Sequence, residues 1–73
     1  MNQTQNKKKE LEKIINLLNV KKYDEVISKA KRLIKKFPYD YIFYNALGMA
    51  LMNLGQFDKS LKILDKAIKL DDK

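Results

Sequence analysis

The stretch Ala46–Ser60, ALGMALMNLGQFDKS, holds both glycines of the chain inside otherwise helix-forming sequence. A glycine within a helix costs about 1 kcal/mol relative to alanine, so Gly48 calls for a compensating contact. Gly55 stands differently. It closes an apolar run just before Gln56-Phe57-Asp58, where a left-handed residue ends one helix and frees the chain to begin another. The stretch reads as a helical hairpin whose two arms meet near Gly48.

Outward from this hairpin the periodicity predicts four helices and no strand. The third helix, about Tyr41 to Leu54, is apolar nearly all round, with Ile42, Phe43, Tyr44, Leu47, Met49, Leu51 and Met52. Such a helix should be covered on more than one side. The fourth, about Asp58 to Leu70, is expected to carry Phe57, Leu61, Leu64, Ala67 and Ile68 inward. Upstream, Phe37-Pro38-Tyr39-Asp40 interrupts the pattern: Pro38 cannot continue a helix, and Asp40 can cap the next. The second helix, about Asp24 to Lys36, shows Val26, Ile27, Ala30, Leu33 and Ile34 on one face. Its Asp24 and Glu25 at the start and Lys35 and Lys36 at the end suit the helix dipole. The first, about Lys8 to Asn19, has Leu11, Ile14, Ile15 and Leu18 on one stripe. Short connections make neighbouring helices antiparallel. The expected division is a disordered basic tail over residues 1–7, a first hairpin over 8–38 and a second over 39–73.

A shift of 34 residues lays the second half on the first. Leu17 falls on Leu51, Asn19 on Asn53, Tyr23 on Phe57, Asp24 on Asp58, Ile27 on Leu61 and Ile34 on Ile68. A helix-turn-helix unit recurring at that interval has the tetratricopeptide period. The second half resembles that family along its length: an aromatic at Tyr44, the Leu47-Gly48 pair, Leu51 one turn later, the turn glycine Gly55, the aromatic Phe57, then Ser60, Leu64, Ala67 and Leu70. The first half is a degenerate unit, with Ile14 in place of the glycine and Lys21 at the turn. The resemblance implies an all-α fold of two hairpins, four antiparallel helices stacked as a short right-handed solenoid. It also gives Gly48 a purpose, because a residue without a side chain lets the two helix backbones approach near Ser60 and Leu64.

Composition narrows the function. The chain has 73 residues and neither cysteine nor histidine. Disulfides are excluded, and the commonest general acid/base and the histidine-activated nucleophiles are missing. No catalytic, cofactor-binding or metal-ligating residue is expected. No apolar run is long enough to span a bilayer and no signal peptide is visible, so a cytoplasmic chain is the default expectation. Sixteen lysines and arginines against nine acids give a net charge of +7. Arg32 is the only arginine, however, and nucleic-acid surfaces favour arginine with exposed aromatics. A small nucleic-acid binder using Lys29, Lys31, Arg32, Lys35 and Lys36 is the alternative function.

The leading expectation is a non-catalytic scaffold that binds protein. The resemblance implies a recognition groove lined by the first helix of each unit, here Leu11, Glu12, Ile15, Leu18 and Asn19 with Ile42, Asn45, Met49, Met52 and Asn53. Leu11 and Ile15 stand where family members that clamp a peptide carboxylate carry lysine and asparagine, so that mode is not expected. An apolar trough with adaptable methionines suits an amphipathic helix. Two units are fewer than the three or so that repeat arrays need. Ile63, Leu64, Ile68 and Leu70 are therefore expected to form a self-association surface, in a homodimer, in a larger assembly or in the N-terminal part of a longer repeat protein.

Overall fold

The computed structural model describes residues 3–71, which fold into four helices: α1 (Gln3–Asn19), α2 (Tyr23–Lys36), α3 (Tyr41–Asn53) and α4 (Phe57–Asp71). No strand occurs among the described residues. Each helix packs on its sequence neighbour, and α1 also touches α3; the α3–α4 contact is the most extensive. Consecutive stacking yields a slab of 37 × 31 × 16 Å. The core joins Ile14, Val26, Ala30, Leu33, Phe43, Ala46, Leu47, Ala50 and Leu51, so α3 contributes more of it than any other helix, as its nearly all-round apolar sequence requires.

The helix ends have local causes. Asp40 is the N-cap of α3, its Oδ1 accepting from the Ile42 N–H at 3.2 Å. α2 stops at Lys36, before Phe37-Pro38. The turns after α1 and α3 are the same turn displaced by 34 residues. Lys22 N–H reaches Leu17 O at 2.9 Å and Lys21 N–H reaches Leu18 O at 3.1 Å; Gln56 N–H reaches Leu51 O at 2.9 Å and Gly55 N–H reaches Met52 O at 3.0 Å. Both pairs close a left-handed helix terminus. Gly55 adopts φ 81° and Lys21 adopts φ 62°. The interval read from side-chain class is thus also present in the backbone.

Two expectations change in detail. α1 begins at Gln3 rather than near Lys8, so residues 3–7 of the expected tail are helical, while Met1 and Asn2 lie outside the described residues. A long-range anchor accounts for the extension: the Lys7 ammonium pairs with Asp40 Oδ2 at 2.9 Å and sits over the Phe37 ring, 4.9 Å from its centroid. Second, α4 does not turn Phe57, Leu61 and Ile68 inward; they are 58%, 61% and 66% exposed. The face that meets α3 carries Ser60 and Ala67, both buried, with Ile63 packed against the core. Small residues let α4 approach closely, which rotates the bulky stripe to the outside. Asp72 and Lys73, the last residues of the expected second hairpin, lie outside the described residues.

Candidate functional site

The groove residues occupy equivalent places on two helices. Leu11 and Asn45, Ile15 and Met49, Leu18 and Met52, and Asn19 and Asn53 are each 34 residues apart, so each pair holds matching positions of α1 and α3, which touch directly. Leu11 and Leu18 are partly buried and pack against the core. Ile42 and Asn45 are half-buried. Ile15 and Met49 are 47% and 49% exposed, and Met52 is also exposed. Asn19 and Asn53 are exposed at the helix ends, where Asn53 Nδ2 donates to Met49 O at 2.8 Å. The surface is therefore apolar at its centre and polar at one end. It contains no charged pair that would fix a carboxylate.

The structural residues converge on the α3–α4 crossing. Ser60 is fully buried, and its hydroxyl donates to the Gly48 carbonyl at 2.7 Å. A β-carbon built on Gly48 would lie 2.5 Å from Leu64 Cδ2 and 2.6 Å from Leu64 Cγ. Leu47 and Leu51 are buried beside this crossing, and Ala67 is buried one turn beyond Leu64. Tyr44 is buried too, and its hydroxyl donates to Pro38 O at 3.0 Å, tying α3 back to the preceding turn. Phe57 opens α4 but stays outside the core.

The expected self-association residues separate. Ile63 and Leu64 are half-buried toward α3, Leu70 is half-buried, and Ile68 alone of the four is exposed. Leu61, which sequence reasoning placed in the core, joins Ile68 and Phe57 on the outer stripe. The signal for this was present: Ser60 and Ala67, seven apart, mark the close-contact face, leaving the large residues beside it for another neighbour.

The basic face of α2 is partly committed within the fold. Glu10 of α1 accepts from Lys29 Nζ at 2.9 Å and also lies 3.6 Å from Arg32 Nη2 and 3.6 Å from Lys13 Nζ. The hydrogen bond from Lys29, with the positive charges of Lys29, Lys13 and Arg32, holds the Glu10 carboxyl below its usual value against the opposing effect of burial. Lys36 lies over the Phe37 ring, 5.5 Å from its centroid. Among the described residues no group of three or more metal-ligating side chains stands together, and no described helix is long and apolar enough to cross a membrane.

Stacked hairpins with equivalent turns 34 residues apart make this a helical-repeat protein. The family model described as "Tetratricopeptide repeat" matches residues 41–73, which comprise α3, the Gly55 turn and α4. That segment belongs to the tetratricopeptide repeat family. No curated protein and no solved structure matches the chain.

Proposed function

We propose that the chain is a non-catalytic protein-interaction module that holds an amphipathic helix of a partner protein against the α1–α3 face. The observation that carries this reading is the row of exposed Ile15, Met49 and Met52, the first two at matching positions of two touching helices. Side chains of that kind have no role in the fold's own core, and methionine adapts to irregular apolar partners. The family match over residues 41–73 supports a protein partner in general terms. A bound helix would place apolar residues at spacings of three and four along this row, with its polar side toward Asn19 and Asn53.

The test is selection of helical peptides from a displayed library against the whole chain, followed by binding to variants. Ile15→Glu and Met49→Glu should each weaken the selected peptides at least about tenfold, the effect of roughly 1.4 kcal/mol. Leu61→Glu, on the outer face of α4, should leave them unchanged. Peptides indifferent to both groove variants would overturn the reading.

A further inference from the structure

The two ends of the stack are chemically unlike. On α2, Tyr23, Ile27 and Ile34 are half-buried and pack against the core that α3 dominates. Their equivalents on α4, displaced by 34 residues, are Phe57, Leu61 and Ile68, and these are exposed. The chain therefore contains its own example of how this stripe is covered: by an apolar helix. The core they pack against includes Phe43, Ala46, Leu47 and Ala50 of α3. Their equivalents on α1 are Lys9, Glu12, Lys13 and Asn16, all exposed and polar. One end of the stack is closed by charge, and the other is open and apolar.

That asymmetry decides how copies can meet. Head-to-tail stacking would press Phe57, Leu61 and Ile68 onto Lys9, Glu12 and Lys13, stripping water from charged groups against hydrocarbon. An isologous contact puts apolar on apolar and closes on itself. We propose that the outer face of α4 is an interface for a second copy of this chain, the two α4 helices packing antiparallel about a two-fold axis.

Charge agrees with this arrangement. Beside the apolar stripe runs Asp58, Lys62, Asp65, Lys69, alternating in sign along one flank of α4. Reversal of the second helix about a point between Leu61 and Leu64 sets Phe57 against Ile68 of the other copy and brings Leu61 beside the exposed edge of Leu64, whose branch point stays packed on Gly48. The same reversal brings Asp58 toward Lys69 and Lys62 toward Asp65 across the interface. A single helix face buries less than the roughly 800 Å² per partner of a standard interface, so the dimer is weak, with a dissociation constant on the order of tens of micromolar. This inference extends protein binding to a surface separate from the groove, and Met49→Glu distinguishes the two.

The experiment is sedimentation equilibrium of the full chain from about 5 to 500 μM, the range that brackets such a constant. The wild type should pass from monomer to dimer and no further, and Leu61→Glu should remain monomeric, a loss of at least about tenfold in association. Because Leu61 is exposed, Leu61→Glu should keep the helical circular dichroism of the wild type at monomeric dilution. Met49→Glu should dimerise as the wild type does. The absence of cysteine permits a second measurement: a mixture of Phe57→Cys and Ile68→Cys chains should cross-link as a mixed disulfide dimer far faster than either chain alone. A wild type monomeric at 500 μM, association that grows beyond the dimer, or equal cross-linking of each variant with itself would each overturn the proposal.

Discussion

A methyl group on Gly48 would lie 2.5 Å from Cδ2 and 2.6 Å from Cγ of Leu64. The second distance matters more than the first. Cγ is the branch point of the leucine, so rotating a terminal methyl aside does not relieve the contact; the whole side chain or the helix behind it must move. Gly48→Ala gains up to about 1 kcal/mol of helix propensity but incurs an overpacking cost of about 1–3 kcal/mol. The expected net result is destabilisation by about 1–2 kcal/mol in urea unfolding. In a Leu64→Ala background the sign should reverse, Gly48→Ala becoming neutral or stabilising by up to about 1 kcal/mol, because only the propensity gain is left. A loss of equal size in both backgrounds would show that Leu64 is not what Gly48 accommodates.

Glu10 ties α1 to α2 and makes a specific pH dependence. Its folded-state pKa lies below that of an ordinary glutamate, chiefly through the hydrogen bond from Lys29 and then through the charges of Lys29, Lys13 and Arg32. A carboxyl whose pKa is depressed on folding stabilises the fold fully above the unfolded-state value and loses that contribution as pH falls through the folded-state value. The wild type should therefore exceed Glu10→Gln in stability at pH 7, by about 0.5–1 kcal/mol given the partial exposure of the pair. The difference should persist down to about pH 5 and shrink below about 4.5. Urea unfolding of both proteins across that range reads it directly. A difference independent of pH would assign Glu10 a packing role instead.

Much of this was legible because single residues carried the signal. Pro38 and Asp40 marked one helix boundary, and Gly55 marked another with the φ of 81° that only glycine adopts without strain. Gly48 announced a close helix crossing, and the Ser60 hydroxyl bonded to its carbonyl confirms where that crossing falls. The orientation of α4 was not legible from hydrophobicity alone. Phe57, Leu61 and Ile68 form an apolar stripe of helical period, and period locates a stripe without saying which neighbour covers it. The small pair Ser60 and Ala67 sets the approach instead. The start of α1 was hidden for another reason: Gln3 to Lys7 have no apolar period, and the contacts of Lys7 with Asp40 and Phe37 cross thirty residues of sequence or more. For the groove, sequence supplied equivalent positions on two helices, while the exposure of Ile15, Met49 and Met52 had to come from the fold.

The turn after α1 repeats the turn after α3 with the wrong residue in the critical place. Lys21 holds φ 62° where its equivalent is Gly55, and a left-handed conformation costs an L-residue roughly 1 kcal/mol. The hydrogen bonds that impose it are backbone bonds from Lys21 and Lys22, so they survive any side-chain change. Lys21 is exposed, so little packing is lost with it. Lys21→Gly should raise stability by about 0.5–1 kcal/mol, while Gly55→Ala should lower it by a similar amount, since nothing crowds a β-carbon there and only the backbone objects. Thermal unfolding of the two variants should move in opposite directions. A fall in both would mean that the Lys21 side chain supports the turn through contacts of its own.

Ser60 tests whether the α3–α4 crossing is held by shape or by its hydrogen bond. The residue is fully buried, and its hydroxyl donates to the Gly48 carbonyl at 2.7 Å. Ser60→Ala removes the donor but leaves the volume nearly unchanged, and an α-helical carbonyl keeps its own backbone partner, so the loss should be about 0.5–1.5 kcal/mol. Ser60→Val installs the residue found at the equivalent position of the first hairpin, Val26, which is itself fully buried. In that hairpin, however, Gly48 and Leu64 are replaced by Ile14 and Ala30, a different division of bulk between the two helices. With Leu64 already against Gly48, the added methyl groups have no room, and Ser60→Val should cost at least about 1 kcal/mol more than Ser60→Ala. Equal losses would show that the hydrogen bond, rather than close packing of the two helices, sets the crossing.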